Sequence, residues 1–423
     1  MDITVREYDF KHTMKKDIPR VDYLTHAIHP YTAKLIPHIP RYFIGQYTKP
    51  GDTILDPFCG SGTTLLEATI KGRNAIGIDI HPLAKLISEV KTSPINAEKL
   101  EHTINSVKKQ LKSDLSTPSI QFPNIDYWFS SDARGELERI KFTIERLNET
   151  IDCDTRKFLQ LCFSSIIRKS SYADPRIAKT YKSKRVIEKT RNGWIPKPIQ
   201  YFEEAMDRNS ERMKTLSQML NSNGNRAEVF QGDAKQLSSI LQQNDIKEIN
   251  LIITSPPYIN AQDYFRSYKL ELCWLGITTP EEIKYLKKQT IGTENLYGIG
   301  PNSTLWNETE LLNTVCGEIG QINKTKASIV HKYFENMKRV FEESQRVLER
   351  KGHFCLITGN NNICGVQVPT HKILSDIAEA TGFKIVETGR DKIRDRSLPP
   401  NRNHKGGIIE EEWVTVFEKG CDE

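Results

Sequence analysis

The sequence predicts an α/β protein with a doubly wound, largely parallel sheet that is interrupted once by a helical insertion. Two observations support this fold class. Short apolar segments typical of strands alternate with helical segments before and after the middle of the chain. Residues 96–222, in contrast, are polar, and their apolar residues recur only at the spacing of a helix. A chain of 423 residues is also long enough for one large α/β domain with insertions, or for two domains.

The strands and helices of the sheet are predicted in the following order. Prolines divide residues 1–50 into short irregular pieces, and "DTILDPFCGSGTTLLEATIKG" then gives strand, glycine turn and helix. "NAIGIDIHP" is a second strand ending in an acid, and "AEVFQGDA" and "INLIITSPPY" are the third and fourth strands. "HKYFENMKRVFEESQRVLERKG" is a long amphipathic helix that stops at Gly352, before the strand "HFCLITG". "EEWVTVFEK" is the last strand, so one domain is predicted from 1–95 and 223–423, with 96–222 inserted.

Composition excludes several classes of protein. Apolar residues make up 37% and charged residues 27% of the chain, which is typical of a soluble globular protein. No apolar run is long enough for a membrane span and no signal peptide is visible, so we expect a cytoplasmic protein that does not bind membranes. The eight cysteines stand singly without a CxxC pair, which argues against a zinc ribbon or a disulfide framework, and no metal site is expected.

Positive charge is concentrated in one part of the predicted insertion, residues 156–197, which we call the basic segment. It contains twelve Lys or Arg and two acidic residues, a net charge of +10, whereas the whole chain carries only +6. Aromatic residues such as Tyr172, Tyr181 and Trp194 lie among these charges. This mixture favours contact with nucleic acid, through phosphates and stacked bases. A solvated helical face is the alternative interpretation.

The glycine turn, residues 56–62, follows the first predicted strand and opens a helix. Gly60 and Gly62 allow the backbone to approach a ligand closely. Asp79, nineteen residues beyond Gly60, ends the second strand, where a carboxylate can bind both hydroxyls of a ribose. The pattern is not GxGxxG, so it favours a nucleoside cofactor without a pyrophosphate, most commonly S-adenosylmethionine. Asp233 could reach an adenine amino group, or could simply cap a helix.

A second unusual stretch, Ser255-Pro256-Pro257-Tyr258, ends the fourth predicted strand, and we call it the proline hook. Two prolines remove backbone donors and hold the chain extended, which leaves a hydroxyl, open carbonyls and an aromatic ring at the strand end. A proline turn that merely closes the strand is the alternative.

Four segments together resemble the DNA amino-methyltransferases, in particular the cytosine-N4-specific modification methylases of bacterial restriction–modification systems. They are "HPYTAK" (29–34), "DPFCGSGTT" (56–64), "IGIDIHP" (76–82) and "TSPPY" (254–258), and the likeness covers roughly two thirds of the chain. It implies a Rossmann-like methyltransferase sheet, S-adenosylmethionine as cofactor and double-stranded DNA as substrate. It also implies a cognate restriction endonuclease that shares the recognition site. The glycine motif precedes the proline hook, the reverse of the permuted order in many cytosine-N4 enzymes.

The resemblance assigns the proline hook to a target base flipped out of the duplex. The Ser255 hydroxyl and the Pro256 carbonyl would accept hydrogen bonds from the exocyclic amine, Pro257 would fix that carbonyl, and the Tyr258 ring would stack on the base. Methylation at cytosine carbon 5 needs a cysteine nucleophile, typically in a Pro-Cys pair, and the chain contains no such pair.

The candidate site residues form three groups. The catalytic group is the proline hook. The cofactor-binding candidates are His29, Tyr31, Asp56, Phe58, Gly60, Ser61, Gly62, Thr63, Asp79, Ile80, Asp233 and Ala234. The DNA-binding candidates are Arg168, Lys169, Arg176, Lys182, Lys184, Arg185, Arg396 and Arg402.

Three other functions remain open at this stage: an adenine-N6 DNA methyltransferase, an RNA base N-methyltransferase, and a nucleic-acid-binding protein with a degenerate methylase fold. Serine at the first position of the hook favours cytosine over adenine as the target base, but only because this is the tendency in the family that the chain resembles. The intact hook and Asp79 argue against a degenerate fold.

Overall fold

An eight-stranded sheet forms the centre of the protein. The computed structural model describes residues 4–113, 116–147, 149–220, 226–259, 263–294, 309–393 and 409–420. The strands are β1 (Val5–Tyr8), β2 (Thr53–Asp56), β3 (Asn74–Asp79), β4 (Ala227–Gln231), β5 (Ile249–Thr254), β6 (Leu348–Thr358), β7 (Asn361–Ile363), β8 (Val366–Val368), β9 (Phe383–Lys392) and β10 (Glu411–Lys419). β7 and β8 form a separate antiparallel pair.

The sheet has the order β1-β9-β10-β6-β5-β2-β3-β4. β6, β5, β2, β3 and β4 run parallel, and β10 lies antiparallel between β6 and β9. From β2, the chain adds β3 and β4 successively on one side of that strand. It then crosses over and adds β5 and β6 on the other side of β2. The order therefore reverses between β2 and β5, and in open α/β sheets ligands bind at such a switch point, beyond the carboxyl ends of the strands.

Seventeen α-helices and two 3₁₀ helices surround the sheet in the described part of the chain. The α-helices are α1 (Phe10–Thr13), α2 (His38–Tyr47), α3 (Thr63–Ile70), α4 (Pro82–Thr92), α5 (Ala97–Leu111), α6 (Ile125–Trp128), α7 (Ser131–Arg146), α8 (Cys153–Ile167), α9 (Lys184–Arg191), α10 (Pro198–Leu220), α11 (Leu237–Gln243), α12 (Tyr264–Ser267), α13 (Lys269–Leu275), α14 (Pro280–Gln289), α15 (Glu310–Ile322), α16 (Lys324–Val347) and α17 (Thr370–Ala380). The 3₁₀ helices are Leu24–Ala27 and Ala234–Gln236.

The structure confirms the predicted fold class and corrects it at three points. The long helix α16 ends at Val347 rather than at Gly352, because "LERKG" already belongs to β6. The N-terminal region, predicted as irregular, contributes the edge strand β1, which pairs with β9 in parallel. β9 itself was not predicted, because its sequence "FKIVETGRDK" is mostly polar and only partly buried at the sheet's edge.

Alternating side chains on the strands supply the two faces of the core. On β6, Phe354 and Leu356 pack with α11 and α15–α17, whereas Cys355 and Ile357 pack against the opposite face with α2 and α3. This alternation follows from the two-residue repeat of a strand and explains why both faces are covered.

Residues 96–222, the predicted insertion, contain helices α5–α10 and no strand among their described positions. Its apolar residues do not form an isolated core. They share one cluster with Leu83 and Ile87 of α4 and with Trp274 of α13. Residues 96–222 therefore pack against α4 and α13 and extend a helical layer beside the sheet. None of the helices described is long and apolar enough to cross a membrane.

Candidate active site

A cavity of about 530 Å³ opens at the switch point between β2 and β5. Its wall contains fourteen of the residues predicted for the catalytic and cofactor sites: Tyr31, Asp56, Phe58, Gly60, Ser61, Thr63, Asp79, Ile80, Asp233, Ala234, Ser255, Pro256, Pro257 and Tyr258. The glycine turn and the proline hook are about 200 positions apart in sequence. They meet here because β2 and β5 are neighbours that end at the same edge of the sheet.

The glycine turn has the backbone geometry that only glycine adopts without strain. Gly60 and Gly62 have φ angles of +51° and +72°. A Cβ atom on Gly62 would also lie 2.8 Å from Ser88 Oγ, so α3 and α4 can pack closely only if this position has no side chain. Gly62 does not itself line the cavity. It is the residue that caps the amino end of α3, where the chain turns from β2 into this helix.

Two carboxylates hold the turn in place. The Asp79 carboxylate accepts hydrogen bonds from the backbone N–H groups of Gly60 (2.9 Å) and His81 (2.8 Å). Asp56 accepts from the Phe58 N–H at 3.1 Å and from the Thr254 hydroxyl at 2.7 Å, which ties the glycine turn to the strand that carries the hook. Burial raises the pKa of both carboxyls to about 6, against the opposing effect of these hydrogen bonds.

The end of the cavity above β4 contains Asp233. The Asp233 side chain caps the short helix that follows, through the Lys235 N–H at 3.0 Å, and lies 3.2 Å from Lys235 Nζ. Lys235 in turn donates to the Gln289 carbonyl at 2.9 Å, so residues 289–291 close this end of the cavity. Asp233 therefore has the helix-capping role that was its alternative, and it also lines the cavity.

The opposite end of the cavity contains the proline hook. Tyr258 and Ser255 both line the wall at this end. Burial strongly raises the pKa of the Tyr258 phenol, and the nearby Glu412 and Tyr333 raise it further. The hydrogen bond with the Ser255 hydroxyl opposes this rise. The phenol is therefore neutral at physiological pH, which suits a ring that stacks on a neutral base.

An aromatic wall, which sequence analysis did not predict, joins the two ends. The Tyr31 ring stacks on Tyr268 (centroids 5.0 Å apart) and on Tyr264 (5.8 Å), and Tyr264 and Phe265 of α12 face the cavity. His81, in the same wall, is 2% exposed, and neither of its ring nitrogens has a hydrogen-bond partner among the described residues. Burial lowers the pKa of this imidazole to about 3, so it is neutral.

The structure does not place His29 in the cavity, contrary to the sequence prediction. Its Nδ1 lies 2.7 Å from the Pro30 carbonyl and its Nε2 lies 3.0 Å from the Ser164 hydroxyl of α8. Burial lowers its pKa to about 3. His29 is a buried residue that joins the N-terminal segment to the insertion, and Lys34 of the same motif lines the cavity instead.

The basic segment lies against the aromatic wall. The Thr180 hydroxyl donates to the Ser267 carbonyl of α12 at 3.0 Å, and Arg168 donates to the same carbonyl. This contact brings the positive surface of the insertion to the rim of the cavity, which sequence analysis could not establish.

One of the predicted DNA contacts is corrected by this arrangement. Arg168 is largely buried, donates to three backbone carbonyls and lies 3.7 Å from Glu271, so it cannot reach DNA without breaking the fold. Arg185 pairs with Asp174, whose carboxylate it reaches at 2.8 Å, and its side chain is 44% exposed.

The other candidates in the basic segment are more accessible. Arg176 is 66% exposed, although 3.5 Å from Asp174, and Lys169 is 53% exposed between Glu204 and the Tyr201 ring. Lys182 lies 4.3 Å from the centre of the Tyr172 ring, and Lys184 is exposed. Arg396 and Arg402 lie outside the described residues.

The residues present fit S-adenosylmethionine. The glycine turn allows close approach, Asp79 retains lone pairs for two ribose hydroxyls, and the unpartnered His81 nitrogens can provide further polar contacts within the aromatic wall. Tyr31, Lys34 and Ser61 also line the cavity.

Comparisons with known proteins agree with this site. The family model described as "DNA methylase" matches residues 8–89. The Type II methyltransferase M.MvaI of Kocuria varians is 25% identical over 93% of this chain and 89% of its own length. M.BsoBI of Geobacillus stearothermophilus is 25% identical over 87% and 80%. M.MjaII of Methanocaldococcus jannaschii is 44% identical over 21% of this chain and 16% of its own length.

Among solved structures, an S-adenosylmethionine-dependent methyltransferase from Methanosarcina mazei covers 90% of this chain and 98% of its own, at 11% identity and a TM-score of 0.33. The sequence matches and the residues of the cavity support a DNA amino-methyltransferase of restriction–modification systems, with S-adenosylmethionine as the methyl donor.

Proposed function

We propose that the protein methylates the exocyclic N4 amine of a cytosine flipped out of duplex DNA, and that it protects host DNA from a restriction endonuclease with the same recognition site. One observation carries the proposal: the proline hook and the cofactor residues line a single cavity, with Ser255, rather than an acid, at the first position of the hook.

The chain's own residues act mainly by positioning. The Ser255 hydroxyl and the Pro256 carbonyl accept the two N–H groups of the amine, which turns its lone pair out of conjugation with the ring. The rigid proline pair keeps both acceptors at the strand end, and the Tyr258 ring holds the base by stacking. The cofactor supplies an electrophilic methyl group when bound. Placing the amine and that methyl group together is the main catalytic contribution.

The decisive experiment identifies the methylated base. The protein is incubated with tritiated S-adenosylmethionine and genomic DNA, and the DNA is hydrolysed to nucleosides and separated. We expect radioactivity in N4-methylcytosine. Label in N6-methyladenine would make the enzyme an adenine methylase, and label in RNA but not in DNA would contradict the proposal.

Replacing Tyr258 with alanine is expected to reduce turnover roughly 5- to 150-fold, since base stacking contributes about 1–3 kcal/mol. Ser255→Ala removes one of the two acceptors and should also lower the rate of the methylation step. Single-turnover kinetics measures that rate, and a titration with S-adenosylmethionine measures cofactor affinity. Cofactor affinity should stay near the wild-type value in both variants. Near-normal methylation by Tyr258→Ala would exclude this ring from base binding.

Three lysines at the surface of the insertion, two exposed and one partly exposed, are expected to bind DNA phosphates near the cavity. We choose Lys182, Lys184 and Lys189, and keep Arg185 because its loss would leave the buried Asp174 poorly compensated. Changing the three lysines to alanine should flatten the dependence of log K on log salt concentration by up to about 0.9 per lost phosphate contact.

A matched control for this variant changes Lys71, Lys247 and Lys351, three exposed lysines near the amino ends of the strands, opposite the cavity. This control loses the same net charge and should keep a salt slope near that of the wild type. Equal slopes for the two triple variants would mean that the insertion is a structural layer and that DNA is recognised elsewhere.

A further inference from the structure

Glu412 is a carboxyl group in the wall of the cavity for which the function proposed above gives no role. It lies at the start of β10, next to Trp413, which pairs with Thr358 at the carboxyl end of β6. In the sheet order, β10 and β6 lie on one side of β5, whereas β2, β3 and β4 lie on the other. Glu412 therefore lies on the side of the hook away from the glycine turn and Asp79, at the end of the cavity that receives the base.

The surroundings of Glu412 leave its carboxylate able to accept a proton. No hydrogen bond or ion pair involving its carboxylate occurs among the residues that the structure describes. Three charged or titratable groups face Glu412: Asp391, which pairs with it from β9, Lys11 of α1, and Tyr258 of the hook. Tyr333 of α16 lies next to Tyr258. Burial and the charge of Asp391 raise the pKa of Glu412 to about 7, and Lys11 opposes this rise. The carboxylate is thus a stronger base than an exposed glutamate.

The other three carboxylates in the cavity wall are already engaged in hydrogen bonds. Asp56 accepts from Thr254 and from the glycine turn, Asp79 accepts from two backbone N–H groups, and Asp233 caps a helix and pairs with Lys235. The hook itself presents a serine rather than an acid, and a serine hydroxyl is too weak a base to keep a proton.

We propose that Glu412 is the acceptor of the proton that the target amine loses during methylation, an inference that rests on the function proposed above. In this step the amine nitrogen forms a bond to the methyl carbon, the carbon–sulfur bond breaks, and its electron pair stays on sulfur. The nitrogen then carries one proton too many. That proton passes to the Glu412 carboxylate, directly or through the Ser255 hydroxyl, and leaves to solvent after the product departs.

This role predicts a specific pH dependence. Only the ionised carboxylate can accept a proton, so the single-turnover rate should rise with pH and level off above about 7. Glu412→Gln preserves the side chain's size but cannot accept the proton. It should lower the rate at the plateau at least 10-fold and abolish this rise. Asp391→Asn removes a neighbouring negative charge and should move the midpoint of the wild-type profile to lower pH.

A spectroscopic measurement without cofactor or DNA tests the ionisation of Glu412 separately from activity. Infrared difference spectra between the wild type and Glu412→Gln should contain the carbonyl band of a protonated carboxylic acid, which fades as pH rises through about 7. The matched control is Glu411→Gln, on the same strand, whose carboxylate lies 3.4 Å from Arg390 and which does not line the cavity. This variant should retain the wild-type rate and pH profile.

The outcomes distinguish this inference from the proposed function. If the wild type methylates cytosine N4 and Glu412→Gln keeps its rate and pH profile, Glu412 is not the proton acceptor, although the function stands. If the wild type methylates no DNA, the proposed function fails together with the inference. An unchanged affinity of Glu412→Gln for S-adenosylmethionine is required, because a lower affinity would place Glu412 in cofactor binding instead.

Discussion

Replacing Glu67 with alanine is expected to lower the free energy of unfolding by about 3–5 kcal/mol, the typical loss when one partner of a buried ion pair is removed. Glu67 is fully buried in α3, directly after the glycine turn. Its carboxylate binds the Arg41 guanidinium, the Tyr23 hydroxyl and, at 2.8 Å, His26 Nε2. Although burial raises the pKa of Glu67, the His26 hydrogen bond and the Arg41 charge outweigh it and hold the pKa below its usual range.

Urea denaturation measures this loss, and Asp22→Ala is the matched control. Asp22 also pairs with an arginine, Arg20 at 2.9 Å, but both side chains are exposed, so its loss should cost at most about 1 kcal/mol. Equal destabilisation by the two variants would contradict the structural role given to Glu67. The network connects α2 and the segment 23–26 to α3, and we therefore also expect weaker cofactor binding in Glu67→Ala.

Replacing Asp79 with alanine is expected to weaken S-adenosylmethionine binding by about 1.5–3 kcal/mol, or roughly 10- to 150-fold, because hydrogen bonds to a charged carboxylate are lost. The Gly60 N–H also loses its acceptor, so the turn is held less firmly. Isothermal titration measures the change. An affinity equal to that of the wild type would mean that Asp79 only fixes the backbone at the end of β3.

The pH dependence of cofactor affinity provides a second test of Asp79. Its pKa is raised to about 6, so the wild type should lose affinity as pH falls below about 6 and the carboxylate becomes protonated. Asp79→Asn removes this ionisation and should bind weakly with a smaller dependence on pH. Asp132→Ala, an exposed acid at the start of α7, is the control and should titrate like the wild type.

The sequence by itself determined the fold class and fourteen of the residues in the cavity wall. Glycine at positions 60 and 62 is required by positive φ angles, Asp79 ends a strand, and the prolines at 256 and 257 fix the chain as it leaves β5. Each of these features is local, because backbone restriction and strand length act over a few residues. A pattern read along the chain can therefore identify them before any contact is known.

Only the tertiary structure decided which distant residues complete the site and which predicted contacts are unavailable. Glu412 and Tyr264 reach the cavity because β10 and α12 pack beside the hook, and no local pattern marks either residue. Arg168 has the same charge as Lys184 in sequence, yet it is buried against the Ser267 carbonyl, whereas Lys184 is exposed. The physical reason is that burial and hydrogen-bond partners depend on packing between elements far apart in sequence, which composition and spacing do not specify.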